Sequence, residues 1–258
     1  MANDRPSQTI LVAFMLCIFC SLSVSLFAVM LRSAQDRNKL LDKQKNIIAV
    51  SGLSEKGDLA NEEIEQLFES IKTFAIDLDT GEKIDDFNIE TYNQKKVSKT
   101  PDLSIPLNDA EDIAAIGRRE NISLVYEVYD ANEELDAVVI PIRGYGLWST
   151  LYGFLSLEND GTTVRGITFY DHAETPGLGG EVDNLKWKAS WKGKQVFSTD
   201  DEIVITVVKG RASQANEVDG LAGATITTRG VDNMLQFWLG DKGYKKYIDK
   251  HLRNEQKT

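Results

Sequence analysis

The sequence predicts an α+β domain carried by a single N-terminal transmembrane helix. The segment from Ile10 to Leu31 is apolar and has no charged residue, so at ~1.5 Å per residue it can cross a hydrocarbon core of about 30 Å. Strand patterns are concentrated in the middle of the remaining chain, and helical patterns flank them on both sides. Strands in one block, rather than alternating with helices, are typical of an α+β fold.

The apolar segment is interpreted as an uncleaved anchor. A cleaved signal peptide would have an apolar region of about 7–15 residues behind a more basic start than the single Arg5 of this chain. Residues 1–9 are expected to form a short tail, 10–31 the transmembrane helix and 32–52 a juxtamembrane helix that stops near Gly52. The soluble domain would then comprise 53–258.

The charge distribution bears on partners and orientation. The net charge is −11 and falls almost wholly after residue 31, so the domain repels phosphate backbones and nucleic acid is not expected as a partner. Basic residues in 32–52 would place the domain in the cytoplasm by the positive-inside rule, but that rule is weak for long domains.

Cys17 and Cys20 have C-x-x-C spacing, yet thiols in mid-bilayer lack the solvent access of a redox pair, so they are interpreted as packing residues.

Helix and strand patterns divide the soluble part of the chain. A helix is predicted over 61–74, with Asn61 as its cap, and a short one around 110–119. The last helix contains the apolar positions from Val231 to Leu239 and ends at Gly240. The strand patterns lie in 123–130, 137–144, 151–171 and 202–210, the third of which contains two strands around the turn Asn159-Asp160-Gly161.

A loop of small residues, "DGLAGATITT" (Asp219–Thr228), precedes the last helix. Gly220 and Gly223 allow close backbone approach, and a helix beginning near Thr228 would offer free N–H groups to a phosphate. Two interpretations stay open from these residues: an anion-binding loop that presents the hydroxyl of Thr225 or Thr227, and an ordinary turn followed by a capped helix.

Two further stretches have features of a ligand site. "ETPGLGG" (Glu174–Gly180) would expose backbone N–H groups and leave room for a flat ligand, with a plain wide turn as the alternative; it has no G-K-[ST] and opens no βαβ unit. In "RGYGLWST" (Arg143–Thr150), Trp148 either belongs to the core or lines the site of a ring-shaped ligand. His172, expected as an exposed turn residue, and His251 are the only histidines, which gives a His-based triad or zinc site little support.

The anchor, "GLWS", "ETPGLGGEV" and "DGLAGAT" together resemble the C subunit of the sodium-translocating NADH:quinone oxidoreductase over nearly the whole chain. The C-terminal half also resembles the wider FMN-binding domain family, which includes the G subunit of the Rnf electron-transfer complex; the length before the strands favours the oxidoreductase. The resemblance implies an FMN-binding core at about 120–240. It also implies FMN attached by a phosphoester to a threonine in a D-G-x-[ST]-G-A-T pattern, by a flavin transferase that uses FAD as donor.

Applied to this chain, the resemblance makes Thr225 the FMN-bearing residue, with Thr227 and Thr228 as rival hydroxyls. The recognition frame would be Asp219, Gly220, Gly223 and Ala224. Ala222 stands where the family usually has Ser or Thr. The residues expected against the flavin are Glu174, Thr175, Pro176, Gly177, Leu178 and Gly179, with Trp148 near the ring. No catalytic residue and no metal site are expected.

The function that the resemblance implies is that of a membrane-anchored flavoprotein subunit. It would relay electrons within a sodium-pumping complex that oxidises NADH and reduces ubiquinone, without an NADH or quinone site of its own. The expected partners are the other subunits, the flavin transferase and the membrane, and the expected location is the bacterial inner membrane with a periplasmic flavin domain. A span without ionisable residues offers no sodium site, so ion translocation would belong to partner subunits. The alternatives are the Rnf protein and a membrane-anchored module that binds a ligand non-covalently or carries no cofactor.

Overall fold

The N-terminal helix is the longest element of the computed structural model, which describes residues 6–54 and 59–253. Helix α1 (Pro6–Ser51) contains an 18-residue window with a mean hydropathy of 2.6, and by length and composition it can cross a membrane. It begins at Pro6, so the last four residues of the predicted tail are helical, whereas 1–5 lie outside the described residues. The chain divides by its internal contacts into one unit that ends at Lys43 and a second that begins at Gln44.

The second unit combines a main antiparallel sheet with short helices, which confirms the predicted α+β class. The strands are β1 (Ile71–Asp77), β2 (Lys83–Ile84), β3 (Ser104–Pro106), β4 (Arg118–Glu120), β5 (Ile122–Tyr129), β6 (Leu135–Tyr145), β7 (Thr150–Glu158), β8 (Val164–Asp171), β9 (Thr206–Val207) and β10 (Glu217–Val218). The further helices are α2 (Asn61–Glu69), α3 (Gln94–Val97), α4 (Leu185–Ala189), α5 (Thr225–Trp238) and α6 (Lys245–Ile248), with 3-10 turns at Pro101–Leu103 and Gly179–Asp183 and a π-helical turn at Asp249–Arg253.

The main sheet has the order β2-β1-β5-β6-β7-β8, and two small sheets pair β3 with β4 and β9 with β10. One face of the main sheet packs against α5, whose Val231, Met234 and Leu235 belong to the buried core. The indole N–H of Trp238 donates to the carbonyl oxygen of Arg143 at 2.7 Å, which ties the end of α5 to β6. Helix α5 therefore has a fixed position on the sheet.

The other face of the sheet is aromatic, and the last turns of α1 reach it. Phe154 stacks on Tyr170 with ring centroids 5.0 Å apart. The side-chain oxygen of Asn46 accepts a hydrogen bond from the Thr168 hydroxyl at 2.9 Å, and an added Cβ on Gly166 would lie 3.3 Å from Val50. The end of α1 from Gln44 onward thus forms part of the folded domain.

The predicted helix over 61–74 is wrong in its last turn. Helix α2 ends at Glu69, and β1 begins at Ile71 because its backbone pairs along its whole length with β5. Sheet pairing across the chain outweighs the local helical spacing. Asn61 is also not the cap: Ala60 precedes the helix, and its backbone N–H donates to the Glu63 carboxylate at 3.0 Å.

Two other predicted elements differ. The stretch 110–119 forms no helix, because Ala115 and Gly117 have positive φ and Arg118 already begins β4. Within 202–210 only Thr206–Val207 is a strand. There the Val207 N–H donates to the side chain of Asp232, on α5, at 2.7 Å. In a longer strand this N–H would instead donate to a neighbouring strand.

Candidate functional site

Three loops meet at one end of the sheet. The hairpin between β6 and β7 closes with the pair Tyr145 and Thr150, and Asp171 at the end of β8 pairs with Tyr152 near the start of β7. Helix α5 also begins there, because an added Cβ on Gly230 would lie only 2.3 Å from the Tyr145 carbonyl oxygen. The antiparallel order of the sheet therefore brings together all three stretches singled out in the sequence.

The threonines at the start of α5 have different surroundings. The helix begins at Thr225, three residues before the predicted start near Thr228. Thr225 is exposed, whereas Thr227 and Thr228 are 0% and 3% exposed. The Thr227 hydroxyl donates to the Glu174 carboxylate at 2.7 Å, and the Thr228 hydroxyl accepts from the Leu221 N–H at 2.9 Å. Of these three hydroxyls, only that of Thr225 is accessible to a reagent from outside.

The loop before α5 is held from both sides. The Asp219 carboxylate accepts from the Ala212 N–H at 2.6 Å, and the Asp219 carbonyl accepts from the Trp187 indole at 2.8 Å. The Gly220 N–H donates to the Gly210 carbonyl at 2.8 Å. A Cβ on Gly220 would lie 2.3 Å from a backbone oxygen, so only glycine fits there. Asp219 and Gly220 therefore fix the shape of the loop.

A cleft of about 410 Å³ opens beside Thr225. It is lined by Lys209, Gly210, Arg211, Asp219, Gly220, Leu221, Ala222, Gly223, Thr225 and Thr228. The predicted frame residues lie in or next to it, since Ala224 directly precedes the helix. Lys209 and Arg211 were not predicted; their signal in the sequence is the tripeptide "KGR" directly after an apolar strand pattern.

Glu174 joins the second loop to the other two. Its buried carboxylate accepts from the backbone N–H groups of Leu147, Trp148 and Ser149 at 3.1, 2.9 and 3.2 Å, in addition to the Thr227 hydroxyl. Burial alone raises the pKa of the Glu174 carboxyl, but these hydrogen bonds outweigh it and hold the pKa below its ordinary value. Glu174 thus acts as an ionised positioning group between the hairpin loop and α5.

Two glycines make room for this carboxylate. A Cβ on Gly146 would lie 2.6 Å from a Glu174 oxygen, and a Cβ on Gly179 would lie 2.5 Å from Glu174 and 2.7 Å from the Thr227 hydroxyl. The motifs "GLWS" and "ETPGLGG" therefore contribute glycines to the same packed junction around Glu174.

The rest of the second loop turns back on itself. The Thr175 carbonyl accepts from the N–H groups of Leu178 and Gly180 at 3.1 and 2.9 Å, so these donors are not open to a ligand as predicted. Thr175, Pro176 and Gly177 are exposed. His172 is not an exposed turn residue: its side chain is 13% exposed, and its Nε2 lies 2.9 Å from the carboxylate of Asp183.

Apolar side chains are exposed around the same junction. Trp148 is 65% exposed, so the alternative of a core tryptophan is wrong. Leu178 and Ile226 are 44% and 57% exposed, and Leu178 lies against the loop before α5, where a Cβ on Gly223 would be 2.9 Å from it. The hairpin loop, the second loop and the first turn of α5 thus each expose a large apolar side chain.

Comparison with known proteins agrees with this arrangement. The profile of the FMN-binding domain family matches residues 146–240, which include all three loops. The C subunit of the Na(+)-translocating NADH-quinone reductase of Pseudomonas aeruginosa is 46% identical over 255 residues, covering 96% of this chain and 97% of that protein. The protein of the same name from Vibrio alginolyticus is 43% identical over 251 residues, which cover 96% of each chain. The chain belongs to the family of these proteins.

The fold agrees with the same assignment. The crystal structure of Shewanella oneidensis NqrC superposes with a TM-score of 0.75 at 33% identity, covering 84% of this chain and 98% of that one. The C subunit of the Na(+)-translocating NADH-quinone reductase from Parabacteroides distasonis superposes with a TM-score of 0.66 at 27% identity. The resemblance noted in the sequence motifs is thereby confirmed.

The Glu174 junction of this NqrC family member is expected to depend on pH. A carboxyl whose pKa is lowered by folding stabilises the fold above the ordinary glutamate pKa of about 4.3, and that stabilisation is lost as the pH falls through the lower, folded-state value. Glu174→Gln should therefore destabilise the protein at pH 6, and the difference from wild type should shrink as the pH falls below about 4. Denaturant unfolding of both proteins across this pH range measures the difference; a difference independent of pH would contradict the assignment.

Proposed function

We propose that this chain is the FMN-carrying C subunit of a Na(+)-translocating NADH-quinone reductase, with FMN bound covalently by a phosphoester to Thr225. The observation that carries the proposal is the contrast among the three threonines of α5. Thr225 and Thr228 both line the cleft, but only Thr225 is exposed, whereas Thr227 and Thr228 are buried and their hydroxyls are hydrogen-bonded. The same contrast argues against the two rival acceptors.

The surroundings of Thr225 fit a phosphate-linked flavin. The first turn of α5 leaves backbone N–H groups without helical acceptors, and these favour a negative charge on a phosphate joined to the first residue of the helix. Gly223, with φ of 74°, adopts a backbone conformation that favours glycine. The exposed Trp148 and Leu178 offer apolar area to a flat ring, and Ile226 offers a third such surface.

The remaining site residues act on position and shape. Glu174 and Gly179 hold the loop that carries Thr175, Pro176 and Gly177 next to α5, while Asp219, Gly220 and Ala224 hold the acceptor loop. Ala222 also lines the cleft, and we propose that it is accepted by a flavin transferase in place of the hydroxyl residue usual in the family. Bound FMN would supply uptake and release of electrons, and the chain would fix its location and tune it by local charge.

We propose that the protein relays electrons and binds neither NADH nor quinone itself. The uncharged segment from Ile10 to Leu31 supports a separate ion path in other subunits, because it can anchor the domain but offers no charged group for sodium at the membrane centre. Partner subunits would carry the ion path and the substrate sites. The domain would lie on the periplasmic side of a bacterial inner membrane.

Purification of the full chain from membranes that contain the partner subunits and a flavin transferase tests the proposal. After denaturing electrophoresis, the band of this chain should fluoresce as flavin, because only a covalent bond survives denaturation. The other subunits of the reductase should copurify; copurification with an Rnf complex would identify the alternative partners. A band without flavin fluorescence would contradict covalent attachment and favour a non-covalent module.

A further inference from the structure

The loop between β9 and β10 brings two basic residues to the cleft beside Thr225. Lys209 and Arg211 both line it, on either side of Gly210. The Gly210 carbonyl accepts from the Gly220 N–H at 2.8 Å, so the basic loop is tied directly to the loop that precedes α5. Their backbone positions are thus set relative to the proposed acceptor.

The charges in the cleft contrast with the charge of the whole chain. The chain carries a net charge of −11, which repels a polyanionic nucleotide. Among the residues that line the cleft, Asp219 is the only acidic one, and its carboxylate already accepts the Ala212 N–H at 2.6 Å. In the described part of the chain, Lys209 and Arg211 have no ion pair or hydrogen bond of their side chains that would neutralise them. The cleft is therefore a local cationic site on an acidic protein.

We infer that Lys209 and Arg211 bind the phosphate groups of the flavin nucleotide and position them for bond formation at Thr225. The inference rests on the proposed function. Arginine can hold two phosphate oxygens at once through its planar guanidinium, and lysine adds a compact positive charge. Both side chains are exposed, so their reach into the cleft requires no repacking of the core.

The reaction proposed at this site is a phosphoryl transfer from FAD to Thr225. The Thr225 oxygen attacks the phosphorus on the riboflavin side of FAD, and a new oxygen–phosphorus bond forms. The bond from that phosphorus to the bridging oxygen of the diphosphate breaks, AMP leaves with the bridging oxygen, and the hydroxyl proton passes to solvent. No electrons are exchanged. The diphosphate brings negative charge into the cleft, and Lys209 and Arg211 are the residues that line it with positive charge.

The test follows flavin attachment to the full-length chain in detergent, with limiting FAD and transferase, by intact mass over time. The double variant K209Q/R211Q should react at least about tenfold more slowly than wild type, the order expected for losing two charge-assisted phosphate contacts. K209E/R211E should be slower still, and K209R/R211K, which keeps both charges but moves the planar guanidinium to the other position, should react faster than K209Q/R211Q. Lys192→Gln removes an exposed positive charge that does not line the cleft and should leave the rate unchanged.

Inorganic pyrophosphate provides a second readout that needs no transferase. It should raise the melting temperature of the flavin-free wild-type chain, but not that of K209Q/R211Q. Equal rates for wild type and K209Q/R211Q would overturn the inference, as would a rate loss without any effect of pyrophosphate, since the residues would then contact the transferase instead. A wild-type chain that never gains the mass of FMN minus one water would instead contradict the proposed function.

Discussion

Replacing Thr225 with valine is expected to give a folded chain that carries no covalent flavin. Valine keeps the branched shape but removes the only hydroxyl among the three threonines that is exposed beside the cleft. Because the side chain is exposed, the free energy of unfolding should change by no more than about 0.5 kcal/mol. Flavin fluorescence of the denatured band should disappear, and the reductase assembled with this variant should lose electron transfer to quinone.

Thr227→Val is the matched control, two residues further along the same helix. Its hydroxyl is buried and donates to Glu174, so its removal should destabilise the domain by about 1–2 kcal/mol. The Thr225 hydroxyl stays in place, so flavin attachment should persist. The two valine variants should thus separate attachment from stability. Loss of flavin in Thr227→Val with retention in Thr225→Val would reverse the assignment.

Gly230→Ala should destabilise the protein although alanine favours helices. In an ordinary helical position the change stabilises by about 1 kcal/mol. Here the added Cβ would lie 2.3 Å from the Tyr145 carbonyl and 3.2 Å from Gly146, both backbone groups that cannot turn aside. Helix α5 must move away from the hairpin loop, and we expect a net loss of about 1–3 kcal/mol, as for other overpacked sites.

Thermal unfolding measures this loss, and Arg229→Ala is its control on the same helix. Arg229 is exposed, so its substitution should change the stability by no more than about 0.5 kcal/mol. Gly230→Ala should also slow flavin attachment, because the displaced helix carries Thr225. A stabilised Gly230→Ala protein would show that α5 and β6 do not pack as closely as described.

Local patterns were sufficient to predict much of the fold. The long apolar run predicted the membrane-crossing part of α1, an alternating pattern predicted β5, and a β-branched run predicted β6. The turn Asn159-Asp160-Gly161 predicted β7 and β8, because each of these signals lies within the segment itself. The end of α2 at Glu69 was missed because pairing with β5 decides it. The strand predicted over 202–210 has only two residues in the structure, because the Val207 N–H donates to the Asp232 side chain of α5 and not to a neighbouring strand.

In the candidate site, too, local patterns were predictable from the sequence, whereas contacts between distant segments were not. The glycine-rich motifs stand out in the sequence because small residues and hydroxyls ahead of a helix are unusual, whereas the choice of Thr225 over Thr227 came from the family resemblance. The role of Glu174 could not be predicted, since the four residues that donate to its carboxylate lie more than 20 positions away, on both sides of it along the chain. Lys209 and Arg211 were hidden for a similar reason: only the tie between Gly210 and Gly220 brings them to Thr225.

The most direct test of the account is the mass of the full-length chain coexpressed with a flavin transferase, followed by fragmentation of the modified peptide. The predicted result is a gain equal to FMN minus one water, located on Thr225. A gain located on Thr227 or Thr228 would contradict the assignment of the exposed hydroxyl as acceptor. No gain at all would contradict the covalent attachment.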